Sequence, residues 1–231
     1  MNKSILWLIG CLFSFTFLTV SCSESSEEVD PYANWEERNQ HYIDSIASEA
    51  RANLGNEVGQ WKVFISYKLD GVSQGQGGDL GQGGLGPGGN LGQPDLNKVE
   101  NYIYCKILKK GNGTKNPNLT DEVETHYRGK LISGYQFDSS YSGETLEEDF
   151  STPATFSVGQ VLVGWSTALL KMVEGDYWEV YLPYQLAYGK AGTTGIPGYS
   201  TLIFDIQLVD ILPLTGIEGK SVDAPAVSEV E

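Results

Sequence analysis

The sequence predicts an α+β fold dominated by antiparallel strands, and three observations carry that prediction. Residues 122–131 alternate: Val123, Thr125, Tyr127, Gly129 and Leu131 share one face, and Glu122, Glu124, His126, Arg128 and Lys130 share the other. A period of two with one apolar face is the pattern of a half-buried strand with water on its back. Residues 201–212 repeat it, with Leu202, Phe204, Ile206 and Leu208 together. Between them, 164–172 places Trp165, Leu169 and Met172 at helical spacing, with Gly175 to end the helix. A run of strands with one short helix among them reads as α+β.

Taken in order, the chain opens on a targeting segment at 1–21. Lys3 supplies a positive start, and Ile5 to Val20 is an apolar run short for a membrane span. It ends in L-T-V-S-C, and Cys22 is followed at once by S-E-S-S-E-E. This stretch resembles a bacterial lipoprotein signal, which implies lipidation at Cys22 and a membrane anchored through that lipid. Residues 22–33 then read as an acidic tether, too poor in apolar side chains to pack.

From Asn34 the pattern changes. Trp35, Tyr42, Ile46 and Ala50 predict an amphipathic helix over 35–53, capped by Asn34 and stopped by Gly55. W-K-V-F-I-S-Y-K-L (61–69) predicts a strand that pairs with another at 101–108. Between them, eleven of the chain's 28 glycines lie from Gly71 to Gly92. A phosphate cradle needs a strand before, a helix after and a lysine, so the 71–97 stretch reads instead as a solvated linker. This helix, strand and Gly-rich loop make up an N-terminal extension, 34–98. Residues 99–213 form the main domain, with a further strand at 177–183, and the tail at 214–231 is expected to be disordered.

Charge and cysteine usage exclude several classes. With 15 basic against 30 acidic side chains, nucleic acid is a poor partner, because phosphate binding rests on clustered Lys and Arg. Cys11 leaves with the targeting segment and Cys22 is acylated, so Cys105 remains alone, predicted to be buried on one face with Ile103 and Ile107. His41 and His126 are far apart in sequence, and no zinc-ligand spacing is visible. No cofactor is implied. Ser139 and Ser140 have no neighbouring His, and Gly-x-Ser-x-Gly is absent. Glu147 and Glu148 sit in a polar insertion, 144–150, where nothing raises a carboxylate pKa. Hydrolysis is therefore disfavoured.

Five segments in register point elsewhere: T-D-E-V-E-T-H-Y-R-G-K-L (120–131), G-Y-Q-F-D-S-S (134–140), F-S-V-G-Q-V-L-V-G-W (156–165), L-A-Y-G (186–189) and I-P-G-Y-S-T-L-I-F-D-I-Q-L-V-D-I-L (196–212). Together they resemble the FKBP-type peptidyl-prolyl cis-trans isomerases over about half the chain. The resemblance implies an antiparallel sheet wrapped around the short helix, with a ligand pocket between them. It implies proline-containing polypeptides as substrates, macrolides as inhibitors, and a folding catalyst of the bacterial envelope, anchored at the outer membrane. Carried over residue by residue, Tyr127, Phe137, Val161, Leu162, Trp165 and Phe204 match apolar wall positions, with Trp165 as the floor. Phe156 belongs to the substrate-binding set. Asp138 and Tyr188 match polar rim positions, and the Ile196 N–H matches a carbonyl-binding donor. Two departures predict a shallower pocket: Ala154 stands where many members have an aromatic, and K-A-G-T-T-G-I (190–196) brings no aromatic to close it. The competing classes are a non-catalytic FKBP-like binding module for another envelope protein and, without a motif, a surface carbohydrate binder.

Overall fold

The computed structural model of the chain describes residues 30–73, 98–143, 146 and 151–212. The expected anchor site at Cys22, most of the Gly-rich stretch, most of the 144–150 insertion and the tail lie outside the described residues. The compact unit that begins at Asn34 holds every described helix and strand.

Three α-helices and seven strands are described: α1 (Trp35–Ala52), β1 (Trp61–Ile65), α2 (Tyr67–Ser73), β2 (Tyr102–Lys109), β3 (Glu122–Leu131), β4 (Gln136–Ser139), β5 (Ala154–Ser157), α3 (Val163–Leu169), β6 (Tyr177–Leu182) and β7 (Leu202–Leu212). The strands form one antiparallel sheet in the order β1-β2-β6-β7-β3-β4. β3 is its spine. One edge pairs with β7 along its whole length, while the other is shared between β5, opposite residues 122–125, and β4, opposite residues 128–130.

The alternation read from the sequence sets the inner face. Val123 and Leu131 of β3, Trp178, Val180 and Leu182 of β6, and Leu202, Phe204, Ile206 and Leu208 of β7 close on Trp165, Ala168 and Leu169 of α3. The helix comes close because Gly164 has no side chain: a Cβ there would stand 2.5 Å from a Leu182 methyl. α3 ends at Leu169, well before Gly175, which at φ 88° serves the turn into β6. Met172, past the helix end, is nonetheless fully buried.

The outer face is less open than the alternation implies. Helix α1 lays Ile43, Ile46, Ala47 and Ala50 across Trp61, Tyr104 and Tyr181, making a second, smaller core. β2 is thereby buried on both sides, with Ile103, Cys105 and Ile107 inward and Tyr104 outward. Burial pushes the Cys105 thiol pKa up, so the thiolate is disfavoured and the residue is inert. His126 and Arg128, expected to face water, are 4% and 5% exposed. For Arg128 the cause is visible: the chain returning after β4 stacks Tyr141 over its guanidinium, 4.4 Å from the ring centroid, and an Arg128 N–H donates to the Gly143 carbonyl.

Asn34 stands at the cap position of α1 as expected, but in the left-handed region (φ 52°) and with no side-chain capping hydrogen bond. Two boundaries differ. The helix ends at Ala52, before Gly55. The strand expected over 61–69 stops at Ile65, because the Ser66 N–H donates to Asn101 O while its carbonyl receives the N–H groups of Leu69 and Asp70, starting α2. The pairing of 61–65 with β2 is as expected, Val63 opposite Tyr104.

Candidate functional site

A cavity of about 510 Å³ opens between α3 and the β3, β4, β5 and β7 part of the sheet. Each of its walls follows from a local sequence feature. β3 contributes Tyr127 from its inward face, and β4 contributes Phe137 and Asp138. β5 contributes Phe156, the turn before α3 contributes Val161 and Leu162, and α3 itself contributes Trp165. Tyr188 and Ile196 come from the long β6–β7 connection, and Phe204 from β7. All ten residues singled out in the chain are thus brought to one place.

Trp165, 4% exposed, is the hub. Its ring meets Tyr127, Phe156 and Phe204 edge to face, with centroids 5.3–5.4 Å apart and planes at 68–87°. Tyr127 also meets Phe156, and Phe137 meets Phe204, both at 5.5 Å. Edge-to-face pairs of this kind contribute about 0.5–1.5 kcal/mol each beyond area burial, so the walls are held before any ligand arrives. Gly129 makes room for one of them, since a Cβ there would stand 2.5 Å from Phe137 and 2.7 Å from Phe204.

The polar groups are few and committed. The Tyr127 hydroxyl donates to Asp138 Oδ2 at 2.8 Å, and Asp138 Oδ1 accepts the Ser139 N–H at 2.8 Å. Burial first, then the bond to Asp138, holds the Tyr127 pKa well above its ordinary 10.0. The serines after Asp138 are structural. Ser140 Oγ accepts the Tyr127 N–H at 2.9 Å, and the Ser139 hydroxyl donates to the Tyr141 carbonyl at 2.7 Å. Tyr188, 40% exposed, stands at the rim.

The Ile196 N–H is a correction. It donates to the Thr193 carbonyl at 2.9 Å, in a tight turn with Gly195 at φ 79°, and so is not presented to a ligand. Ala154 pairs with Thr125 in the sheet and does not line the cavity. Gln160, Thr193 and Thr194 do line it, and sequence reading passes them over. Their one signal is adjacency: Gln160 precedes Val161, and the threonines sit in the connection that carries Tyr188 and Ile196. Among the described residues, no group of three or more His, Cys, Asp or Glu side chains is placed to hold a metal ion.

This constellation has a counterpart in known proteins. Residues 113–209 match the family described as FKBP-type peptidyl-prolyl cis-trans isomerase. The 113–209 domain belongs to the FKBP-type family. The chain is 40% identical over 123 residues to the peptidyl-prolyl cis-trans isomerase Mip of Coxiella burnetii, covering 53% of this chain and 50% of that protein. It is 40% identical over 125 residues to the FKBP-type 22 kDa peptidyl-prolyl cis-trans isomerase of Escherichia coli, covering 53% and 56%. With FkpA of the same organism it shares 36% over 131 residues, covering 56% and 45%. The chain thus matches about half the length of these curated relatives. α1, β1 and β2 all lie before the matched segment; β1 pairs with β2, and β2 in turn pairs with β6 inside it.

Proposed function

We propose that this chain is a peptidyl-prolyl cis-trans isomerase acting on proline-containing polypeptides, held in the bacterial cell envelope by a lipid on Cys22. One observation carries the catalytic reading: an aromatic cavity floored by Trp165 in which no side chain is set up to act as nucleophile or base. Rotation about an X-Pro bond needs neither. The barrier of about 18–20 kcal/mol is loss of amide resonance. The twisted amide is less dipolar than the planar one, so a dry apolar pocket favours it relative to water. Every 1.36 kcal/mol removed is a factor of ten in rate. In this reading the proline ring sits over Trp165 and the Tyr188 hydroxyl donates to a substrate carbonyl. The family's macrolide inhibitors would occupy the same cavity.

Asp138 acts in this scheme as a handle and not as a base, because both its oxygens already accept hydrogen bonds. Activity on a proline peptide is therefore expected to be nearly flat between about pH 6 and 9. Tyr127, its pKa raised by burial and by the bond to Asp138, keeps its proton throughout that window. Asp138→Ala lowers turnover about tenfold with the fold intact, since it removes the two hydrogen bonds that the carboxylate accepts and no apolar wall. A bell-shaped profile would overturn the mechanism.

A second reading, a non-catalytic binding module for another envelope protein, is favoured by the Ile196 N–H being spent on Thr193. Peptide binding without isomerisation above the spontaneous rate would decide for it. The anchor has its own test: Cys22→Ser moves the protein from the membrane fraction to the soluble fraction, because one lipidated terminus is its attachment. Retention of the variant at wild-type levels refutes it.

A further inference from the structure

The connection from Leu182 to Leu202 carries Tyr188, Thr193, Thr194 and Ile196 to the cavity without joining the sheet ladder. Its backbone bonds are largely those of its own turns: Gly189 N–H to Tyr184 O, Tyr199 N–H to Gly189 O, and the Thr193–Ile196 pair. Gly189, Gly192 and Gly195 adopt positive φ. Tyr199 does so too, at φ 61°, a region that L side chains rarely enter. A segment of this kind needs an outside anchor to hold one geometry.

That anchor comes from α1. Asn39 is 1% exposed in a stripe that is otherwise largely apolar. Its Oδ1 accepts the Thr201 N–H at 2.7 Å, and its Nδ2–H donates to the Trp35 carbonyl at 2.7 Å. The Trp35 indole N–H donates to Ser200 Oγ at 2.9 Å, and the Ser200 hydroxyl donates to the Pro197 carbonyl at 2.6 Å. Ser200 and Thr201 are 3% and 1% exposed, so these bonds are shielded from water, where each holds its geometry more strongly. The relay from indole to serine to carbonyl ends one residue from Ile196.

We propose that α1 is a positioning element of the isomerase site: Trp35 and Asn39 clamp the far leg of the 183–201 connection and so set Tyr188 and Ile196 against the Trp165 floor. The kinetic consequence rests on the isomerase reading; the mechanical coupling does not. The clamp's α1 half lies outside the matched 113–209 segment.

The test uses the full chain and three variants. Ser200→Ala breaks the relay with one atom, Asn39→Ala removes the Thr201 acceptor, and Ile46→Val loosens the same helix against the Tyr181 side of the sheet, away from the connection. Hydrogen exchange at the Gly189, Ile196 and Tyr199 amides is read beside kcat and KM for a proline peptide, at a temperature where every variant is folded. Ser200→Ala and Asn39→Ala are expected to speed exchange at those amides and to lower kcat/KM about tenfold, chiefly through KM. Ile46→Val should leave both within about twofold of wild type. Unchanged exchange in Ser200→Ala and Asn39→Ala overturns the clamp, as does an equal effect from Ile46→Val. An inactive wild type would refute the isomerase reading alone, and exchange would still decide the clamp.

Discussion

Trp165→Ala is expected to lose both activity and stability, and by more than any other single change in the cavity. The indole is 4% exposed and meets three other rings, and α3, which carries it, touches the main core through Ala168 and Leu169. Truncating a buried Trp costs about 3–5 kcal/mol, because the transfer free energy is lost and the surroundings only partly fill the space. For a domain of this size that corresponds to a fall in Tm of roughly 10 °C. The catalytic loss is separate. A cavity with no floor admits water, and water restores the preference for the planar, more dipolar amide. Thermal unfolding and the peptide assay are run together, the assay well below the lowered Tm. A variant that stays folded and retains wild-type kcat/KM would mean that desolvation over Trp165 is not the source of the rate.

Gly129→Ala is the second large effect, and it comes from one added methyl. The new Cβ would stand 2.5 Å from the Phe137 ring and 2.7 Å from Phe204, distances at which something must move. Both rings are cavity wall, and Gly129 pairs across the sheet with Asp138, so the shift reaches the handle as well. Overpacking of this kind costs about 1–3 kcal/mol. The expected result is a fall in kcat/KM of about tenfold or more, since small displacements of a positioned group are costly. Gly134→Ala is the control. It sits at φ 84° with open space around its missing side chain, so it strains the backbone and moves no wall. It should lower Tm modestly and leave kcat/KM unchanged. Equal activity in both variants would show that the Phe137–Phe204 pair does not shape the site.

The inward residues of β3 and β7 and the helical spacing of Trp165 and Leu169 were legible because burial of one face imposes a period, and the period is written in the chain. The ten cavity residues were legible through five segments in register, which carry a known pattern; no single residue among them announces a pocket. Periodicity describes a strand alone, however, and says nothing of what lies on its other side. Arg128 reads as an outward, wet residue until the chain after β4 folds back with Tyr141 and Gly143. Asn39 finds its partner only in Thr201, far along the chain. The Ile196 N–H reads as a free donor until the Thr193 turn closes on it. In each case the deciding partner is remote in sequence or set by a turn's backbone angles. Sequence by itself determined which faces are apolar and which family the cavity belongs to. Only the tertiary structure decided which polar groups are already satisfied, because a hydrogen bond depends on distance and angle between groups that no local pattern brings together.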